Sequence, residues 1–303
     1  MNPAITTVLD QSWKWAKVPL SLAEIMDTSA STHGYHAASD YLSCPERSRL
    51  RHLGLRPIGV SDPLDPKLGA LEIGTLLHAL LAVRVTYGMG KAEAMVVPGS
   101  AIGNTIHEED RLKVHELLLT YDREWPLLSG QKYREANWLY IGCESTVNTE
   151  IAPGCIRSAR YDRVVQTSEG GRNVVYSLET KTSSRGGEWA MISYTPQFFV
   201  QATIWNRNKP LVAKYGPMLG VIPDVLVKTK IPSCDRYPAR YVSERQMDLA
   251  VEYMTMPDRV RYPVNPDGTY PHFIHTCYGG KYGRCDYVNY CLEGAVGAYE
   301  VVP

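Results

Sequence analysis

Phenylalanine is close to absent from this chain: 3 residues in 303, against 20 tyrosines and 6 tryptophans. Most of its aromatic rings therefore carry a polar tip and suit partly wet sites where rings can stack. Net charge is missing as well, with 32 basic and 32 acidic side chains. A nucleic-acid partner then needs a basic surface that is local and balanced elsewhere. No long hydrophobic run occurs. The longest apolar stretch, around Leu76 to Val83, is interrupted by His78 and is too short to span a bilayer. Met1 to Asp10 has neither a basic start nor a long apolar core, so no secretory segment is read there. The 7 cysteines are an odd number and, with no export signal, favour thiols or metal ligands in a reducing compartment over a disulfide framework. The expectation is a cytoplasmic protein with no membrane partner. At 44% apolar and 21% charged it has the composition of a globular chain, with length for one large domain or two small ones.

The stretch around which the rest is organised is Val174-Val175-Tyr176-Ser177-Leu178-Glu179-Thr180-Lys181-Thr182. β-branched and aromatic residues predict a strand, with the turn Gly170-Gly171 before it. Side chains two apart share a face, so Glu179 and Lys181 project together. Alone, that pair reads equally well as a solvated ion pair.

Two more strands are predicted ahead of it, Leu139 to Glu150 and Cys155 to Thr167, joined at Ala152-Pro153-Gly154. The three make an antiparallel meander in which Asp162, amid apolar neighbours, comes beside Glu179. A helix is expected from about Leu68 to Tyr87, with Gly74 and His78 one turn apart on one face, and another from about His107 to Trp125. A third, capped by Thr195 with Pro196 in its first turn, runs to about Arg207 and carries Gln197 and Gln201 four apart, flanked by Tyr194 and Trp205. A strand over Met218 to Lys228 and a helix from Ser243 to about Arg261 follow. Upstream, residues 36–55 read as two short helices meeting at Cys44-Pro45, with Arg47, Arg49, Arg51 and Arg56 either solvated or facing phosphate. Near the end, Cys277, Cys285 and Cys291 fall within fifteen residues, which favours a metal centre over inert thiols. Cys143, Cys155 and Cys234 are expected to be ordinary buried thiols.

In this order the elements resemble the PD-(D/E)XK nuclease superfamily, in particular its RecB-like branch with an iron–sulfur cluster. That branch includes CRISPR spacer-acquisition nucleases, AddB-type helicase–nucleases and phage exonucleases. The resemblance runs from Cys44 to Cys291: the helical Gly74-x-x-x-His78, Tyr161-Asp162-Arg163, Glu179-Thr180-Lys181, the Gln197 to Trp205 helix, and one cysteine before the core with three after it. It implies an α/β fold, restriction-endonuclease-like, a mixed sheet core flanked by helices with an N-terminal helical region and a C-terminal cysteine cluster. The expected segments are an arm (1–35), a helical region (36–135), the nuclease core (136–262) and the cysteine segment (263–303).

The implied activity is metal-dependent DNA hydrolysis, by an exonuclease acting on ends or single strands, with a recombination or CRISPR-type protein as a further partner. A catalytically silent DNA-binding or assembly module of the same fold is the alternative. The resemblance assigns Asp162, Glu179, the Thr180 carbonyl and His78 to one or two Mg²⁺ or Mn²⁺ ions, hard oxygen ligands suiting both. Lys181 would orient water or stabilise the phosphate as an ammonium, and Gln197 or Gln201 would hold DNA or Lys181. Glu144, on the first strand, is a further candidate. Cys44, Cys277, Cys285 and Cys291 would ligate a [4Fe–4S] cluster; zinc is its rival, since His272 and His275 lie near Cys277. Two departures stand out. The C-terminal spacing is C-x7-C-x5-C where the family has C-x2-C-x5-C, and the glutamine motif, usually Q-x3-Y, starts at either Gln197 or Gln201.

Overall fold

The computed structural model describes residues 35–53, 55–57, 70–100, 103–104, 106–128, 134–183, 196–260, 264, 266, 287, 290–291 and 299–301. Expectations for the N-terminal arm and for Tyr194, Thr195, His272, His275, Cys277 and Cys285 lie outside these residues.

Helices α1 (Tyr35–Ser43) and α2 (Pro45–His52) meet at Cys44, whose extended backbone precedes a proline at the first helical position. Strand β1 (Leu55–Pro57) follows. Helix α3 (Ala70–Tyr87) buries residues on nearly every side, from Ile73 through Val85, and so lies inside the molecule. After α4 (Met89–Ala94) and α5 (Glu108–Glu124) the chain turns to sheet. Strands β2 (Arg134–Glu135), β3 (Trp138–Ala152), β4 (Cys155–Glu169) and β5 (Arg172–Ser183) form the antiparallel meander. Gly170 and Gly171 both have positive φ, 56° and 76°, as a two-residue hairpin loop that matches strand twist requires.

Helices α6 (Pro196–Arg207) and α7 (Lys209–Tyr215) then carry the chain to β6 (Met218–Val227), which pairs parallel to β5. A parallel return needs such a crossover, and α6 supplies it. Short strands β7 (Ser233–Arg236) and β8 (Arg240–Tyr241) both pair with β6. Helix α8 (Glu244–Arg259) starts from a capping box in which Ser243 and Gln246 satisfy each other's backbone N–H. Strand β9 (Tyr299–Val301) pairs antiparallel with β1.

The seven-stranded sheet, ordered β2-β3-β4-β5-β6-β7 with β8 also on β6, is therefore mixed, and helices cover both faces. Leu76, Leu80, Val114, Leu117 and Tyr121 of α3 and α5 pack against Leu178 and Ile222 on one face. Val200, Ile204 and Trp205 of α6 pack against Tyr161, Val164 and Val175 on the other. This is the expected restriction-endonuclease-like architecture. Among the described residues no helix is long and apolar enough to cross a membrane. Cys143 is buried as expected, but Cys155 and Cys234 are only half-buried: Cys155 opens β4 beside the hairpin turn, and Cys234 sits on the short strand β7.

Candidate active site

The site forms where the sheet forks. The β4–β5 ladder runs from Glu169↔Arg172 to Arg163↔Leu178 and stops. Beyond that pair β4 stays with β3 alone while β5 continues beside β6. Asp162 is the first residue of β4 past the last rung. Its Oδ2 accepts the Thr180 N–H at 2.7 Å, so a side chain takes over from the ladder at that point.

Glu144 stands opposite Asp162, between the pairs Cys143↔Arg163 and Ser145↔Tyr161. It is buried, with φ of +46°, a conformation that costs a non-glycine residue of order 1 kcal/mol and survives only where its surroundings impose it. Arg160 holds one of its oxygens, Oε2, through Nη2 at 3.0 Å and Nε at 3.2 Å.

His78 reaches this pair from α3. Its Nδ1 lies 3.5 Å from Asp162 Oδ1 and 3.6 Å from Glu144 Oε1. Gly74 explains the approach: a β-carbon there would stand 3.2 Å from Thr182 Oγ1 on β5, so glycine brings α3 close to the sheet one turn before the histidine. One ligand atom from each of His78, Glu144 and Asp162 falls within 4.8 Å of the others, as a shared metal ion needs. Burial works against the imidazolium, but Asp162 and then Glu144 outweigh it and push the His78 pKa up to about 10. Burial favours protonated Asp162 too, yet His78 and then Lys181 hold its carboxyl well below the usual range. Glu144, more deeply enclosed, is moved up by burial. One imidazole and two carboxylates this close together, once the imidazole gives up its proton, make a donor set suited to a divalent cation.

Glu179 and Lys181 project on the α6 side of β5. The Glu179 carboxylate is buried and lies outside the trio; its Oε1 is ion-paired with Lys181. Both glutamines hold it. Gln197 donates to Oε1 at 2.6 Å, and Gln201 donates to Oε2 at 2.8 Å and to the Arg160 carbonyl at 3.2 Å. The sequence left open which glutamine serves; the two divide the carboxylate between them.

A family model of the PD-(D/E)XK nuclease superfamily matches residues 35–291. The chain belongs to this superfamily. Its members are nucleases that usually use divalent metals, and the trio at the fork gives this member a candidate place for one. No curated protein matches the chain. A solved structure described as a "Putative exonuclease" from Eubacterium rectale is similar at 13% identity and a TM-score of 0.40, covering 78% of this chain and 79% of that one. So distant a likeness bears on nothing further.

Of the residues expected at the site, His78, Asp162, Glu179, Thr180, Lys181, Gln197 and Gln201 all border the fork. Arg160 was missed, and Glu144 was named without a reason. The register hides that reason. Counting from Ala152↔Cys155 sets Glu144 opposite Arg163, and only the bulge between Glu150 and Ala152 moves it onto Asp162. Arg49, expected to face either solvent or phosphate, is engaged by Glu46 at 2.6 and 2.9 Å.

Proposed function

We propose that this protein is a divalent-metal-dependent deoxyribonuclease, an exonuclease that takes DNA from ends or as single strands. Mg²⁺ or Mn²⁺ would be held by His78, Asp162, Glu179 and the Thr180 carbonyl, with Glu144 as a further ligand. One observation carries this reading: the His78–Glu144–Asp162 trio meets the Glu179–Lys181 pair where β4 leaves β5. When bound, such an ion supplies Lewis acidity to a phosphoryl oxygen and lowers the pKa of water.

The chain's own groups do the rest. Lys181 orients the attacking water and offsets charge building on the phosphoryl oxygens, its ammonium held in place by Glu179. Gln197 and Gln201 fix both Glu179 oxygens, so the carboxylate is preorganised before substrate arrives. Arg160 ties the two halves together, its side chain on Glu144 and its carbonyl on Gln201.

A [4Fe–4S] cluster on Cys44, Cys277, Cys285 and Cys291 would staple the N-terminal helices to the chain's end. Two features support it. Strands β1 and β9 pair, and the Tyr287 hydroxyl donates to the Leu55 carbonyl at 2.9 Å, with Cys291 N–H bonded back to the Tyr287 carbonyl at 2.8 Å. The β1 strand, which follows the helix pair that meets at Cys44, thus lies beside the segment that carries Cys291. Iron content and a visible absorption band in anaerobically purified protein test it; colourless protein with stoichiometric zinc would overturn it. The work of such an enzyme would be DNA repair, recombination or phage DNA processing in the cytoplasm, beside a recombination or CRISPR-type partner.

The activity is tested by digesting end-labelled linear, circular and single-stranded DNA with Mn²⁺ or Mg²⁺, using the wild type, Glu179→Ala and Lys181→Ala. Loss from the ends by the wild type alone is expected. Activity that survives both substitutions overturns the site, and no activity on any substrate overturns the function.

A further inference from the structure

Because the β4–β5 ladder stops at Arg163↔Leu178, no rung sets how far Asp162 stands from Glu179 and Lys181. Two consecutive residues of β4 do this instead, and both act on Thr180. Asp162 takes the Thr180 N–H at 2.7 Å, and Arg163 donates through Nη2 to the Thr180 hydroxyl. Side chains alternate along a strand, so the Thr180 hydroxyl points to the α5 side while Glu179 and Lys181 point to the other.

The guanidinium is itself held from behind. Asp224, the register partner of Thr180 on β6, accepts from Arg163 Nη2 at 3.0 Å, and the Tyr121 hydroxyl of α5 accepts from Nη1. Asp224 is held in turn by Arg236, its partner on β7, at 3.2 Å. The row Arg163–Thr180–Asp224–Arg236 crosses four adjacent strands on the α5 face of the sheet, with Arg163, Thr180 and Asp224 buried. With one Nη2 N–H given to Asp224 and one Nη1 N–H to Tyr121, the rigid planar fork fixes the direction of the second Nη2 N–H, which meets Thr180. An arginine needed only for stability could spend its donors on Asp224 and Tyr121. A valine at 180 would fill the same volume and suit a strand at least as well. The bond to a threonine hydroxyl between the two charged residues of the site is what stability leaves unexplained.

We propose that Arg163 is a positioning residue: together with Asp162 it clamps Thr180 and sets the separation between Asp162 and the Glu179-Thr180-Lys181 strand. This rests on the nuclease reading above.

The test uses Thr180→Val, which removes the acceptor and leaves Arg163 its bonds to Asp224 and Tyr121, and Thr180→Ser, which restores the hydroxyl. Three quantities are read: kcat on linear DNA, the Mn²⁺ concentration giving half-maximal rate, and Mn²⁺ binding without DNA, followed by the paramagnetic resonance of the free ion. Misplacing a reacting group by an ångström costs up to about 100-fold in rate, so Thr180→Val should lower kcat about 10- to 100-fold. KM for DNA should hold, Mn²⁺ binding should weaken severalfold, and Thr180→Ser should recover most of both. Thr180→Val behaving as wild type overturns the proposal. Equal impairment of Thr180→Val and Thr180→Ser overturns it too, because packing and not the hydroxyl would then be at fault. Should the wild type cut no DNA, the nuclease reading falls, and Mn²⁺ binding still decides: weaker in Thr180→Val and restored in Thr180→Ser upholds the clamp, unchanged binding overturns it.

Discussion

Replacing Asp224 by asparagine keeps the shape of a side chain that is fully buried and changes only its charge and one acceptor. The carboxylate accepts from the Tyr121 hydroxyl at 2.5 Å, from Arg163 at 3.0 Å and from Arg236 at 3.2 Å. In the variant two guanidiniums lose their shared counter-charge, and an NH2 group faces donors where an oxygen had accepted. Removing one member of a buried charge cluster costs about 3–5 kcal/mol, mostly because its partners stay buried and uncompensated. Against a total stability of about 5–15 kcal/mol, that is a large share. At about 2–4 °C per kcal/mol, Tm should fall by roughly 10 °C. Urea and thermal unfolding followed by circular dichroism at neutral pH measure it.

The acid limb supplies an independent check. Burial raises the Asp224 pKa, but Arg236 and then Arg163 lower it further, so the net shift is downward. A carboxyl depressed in the folded state contributes stability above its unfolded pKa of about 3.9, and that contribution is lost as pH falls below it. The gap between wild type and Asp224→Asn should therefore narrow below about pH 4. Adding Arg236→Gln to Asp224→Asn should recover little of the loss, since Arg236 also pairs with Glu135 at 2.7 Å and its removal leaves that carboxylate uncompensated. A loss under about 1 kcal/mol, or a gap that persists in acid, would refute the view that these charges compensate one another.

Three further outcomes follow from the same geometry. His78 holds its proton up to about pH 10, and a cation bound through the ring must displace that proton. Mn²⁺ affinity by titration calorimetry should then climb with pH, by up to about tenfold per unit, and His78→Asn should flatten the climb; a pH-independent wild type would contradict it. Gln201→Leu should cost about 1.5–3 kcal/mol in stability for its bond to a charged group, and should cost more than Gln197→Leu in single-turnover rate and in stability, because Gln201 is buried and also holds the Arg160 carbonyl. Gly74→Val should destabilise by about 1–3 kcal/mol and weaken Mn²⁺ binding, because the added carbons press α3 off Thr182 and carry His78 with it.

The elements with a strong period were legible in the sequence. The predicted Met218 to Lys228 strand and Pro196 to Arg207 helix correspond to β6 and α6, and the meander was foreseen with its turns. What was not legible depends on register and on distance along the chain. The bulge beside the first hairpin decides that Glu144 faces Asp162, and a single extra residue leaves no mark in a pattern of alternating side chains. Tyr121, Arg163, Asp224 and Arg236 come from α5, β4, β6 and β7, and each looks like an ordinary helix or strand residue until the sheet order sets them in a row. The short helices Met89–Ala94 and Lys209–Tyr215 carry too few turns for a period to show.

The most direct measurement is single-turnover cleavage of an end-labelled linear duplex in Mn²⁺, comparing wild type with Asp162→Asn. Asparagine there keeps the side chain's size but removes the charge that His78 faces and weakens the acceptor of the Thr180 N–H. The account predicts cleavage by the wild type that a chelator abolishes, and a rate for Asp162→Asn lower by about 10³-fold, the order expected when transition-state charge loses about 4 kcal/mol of stabilisation. Cleavage at the same rate by Asp162→Asn, or cleavage that persists in the chelator, would contradict it.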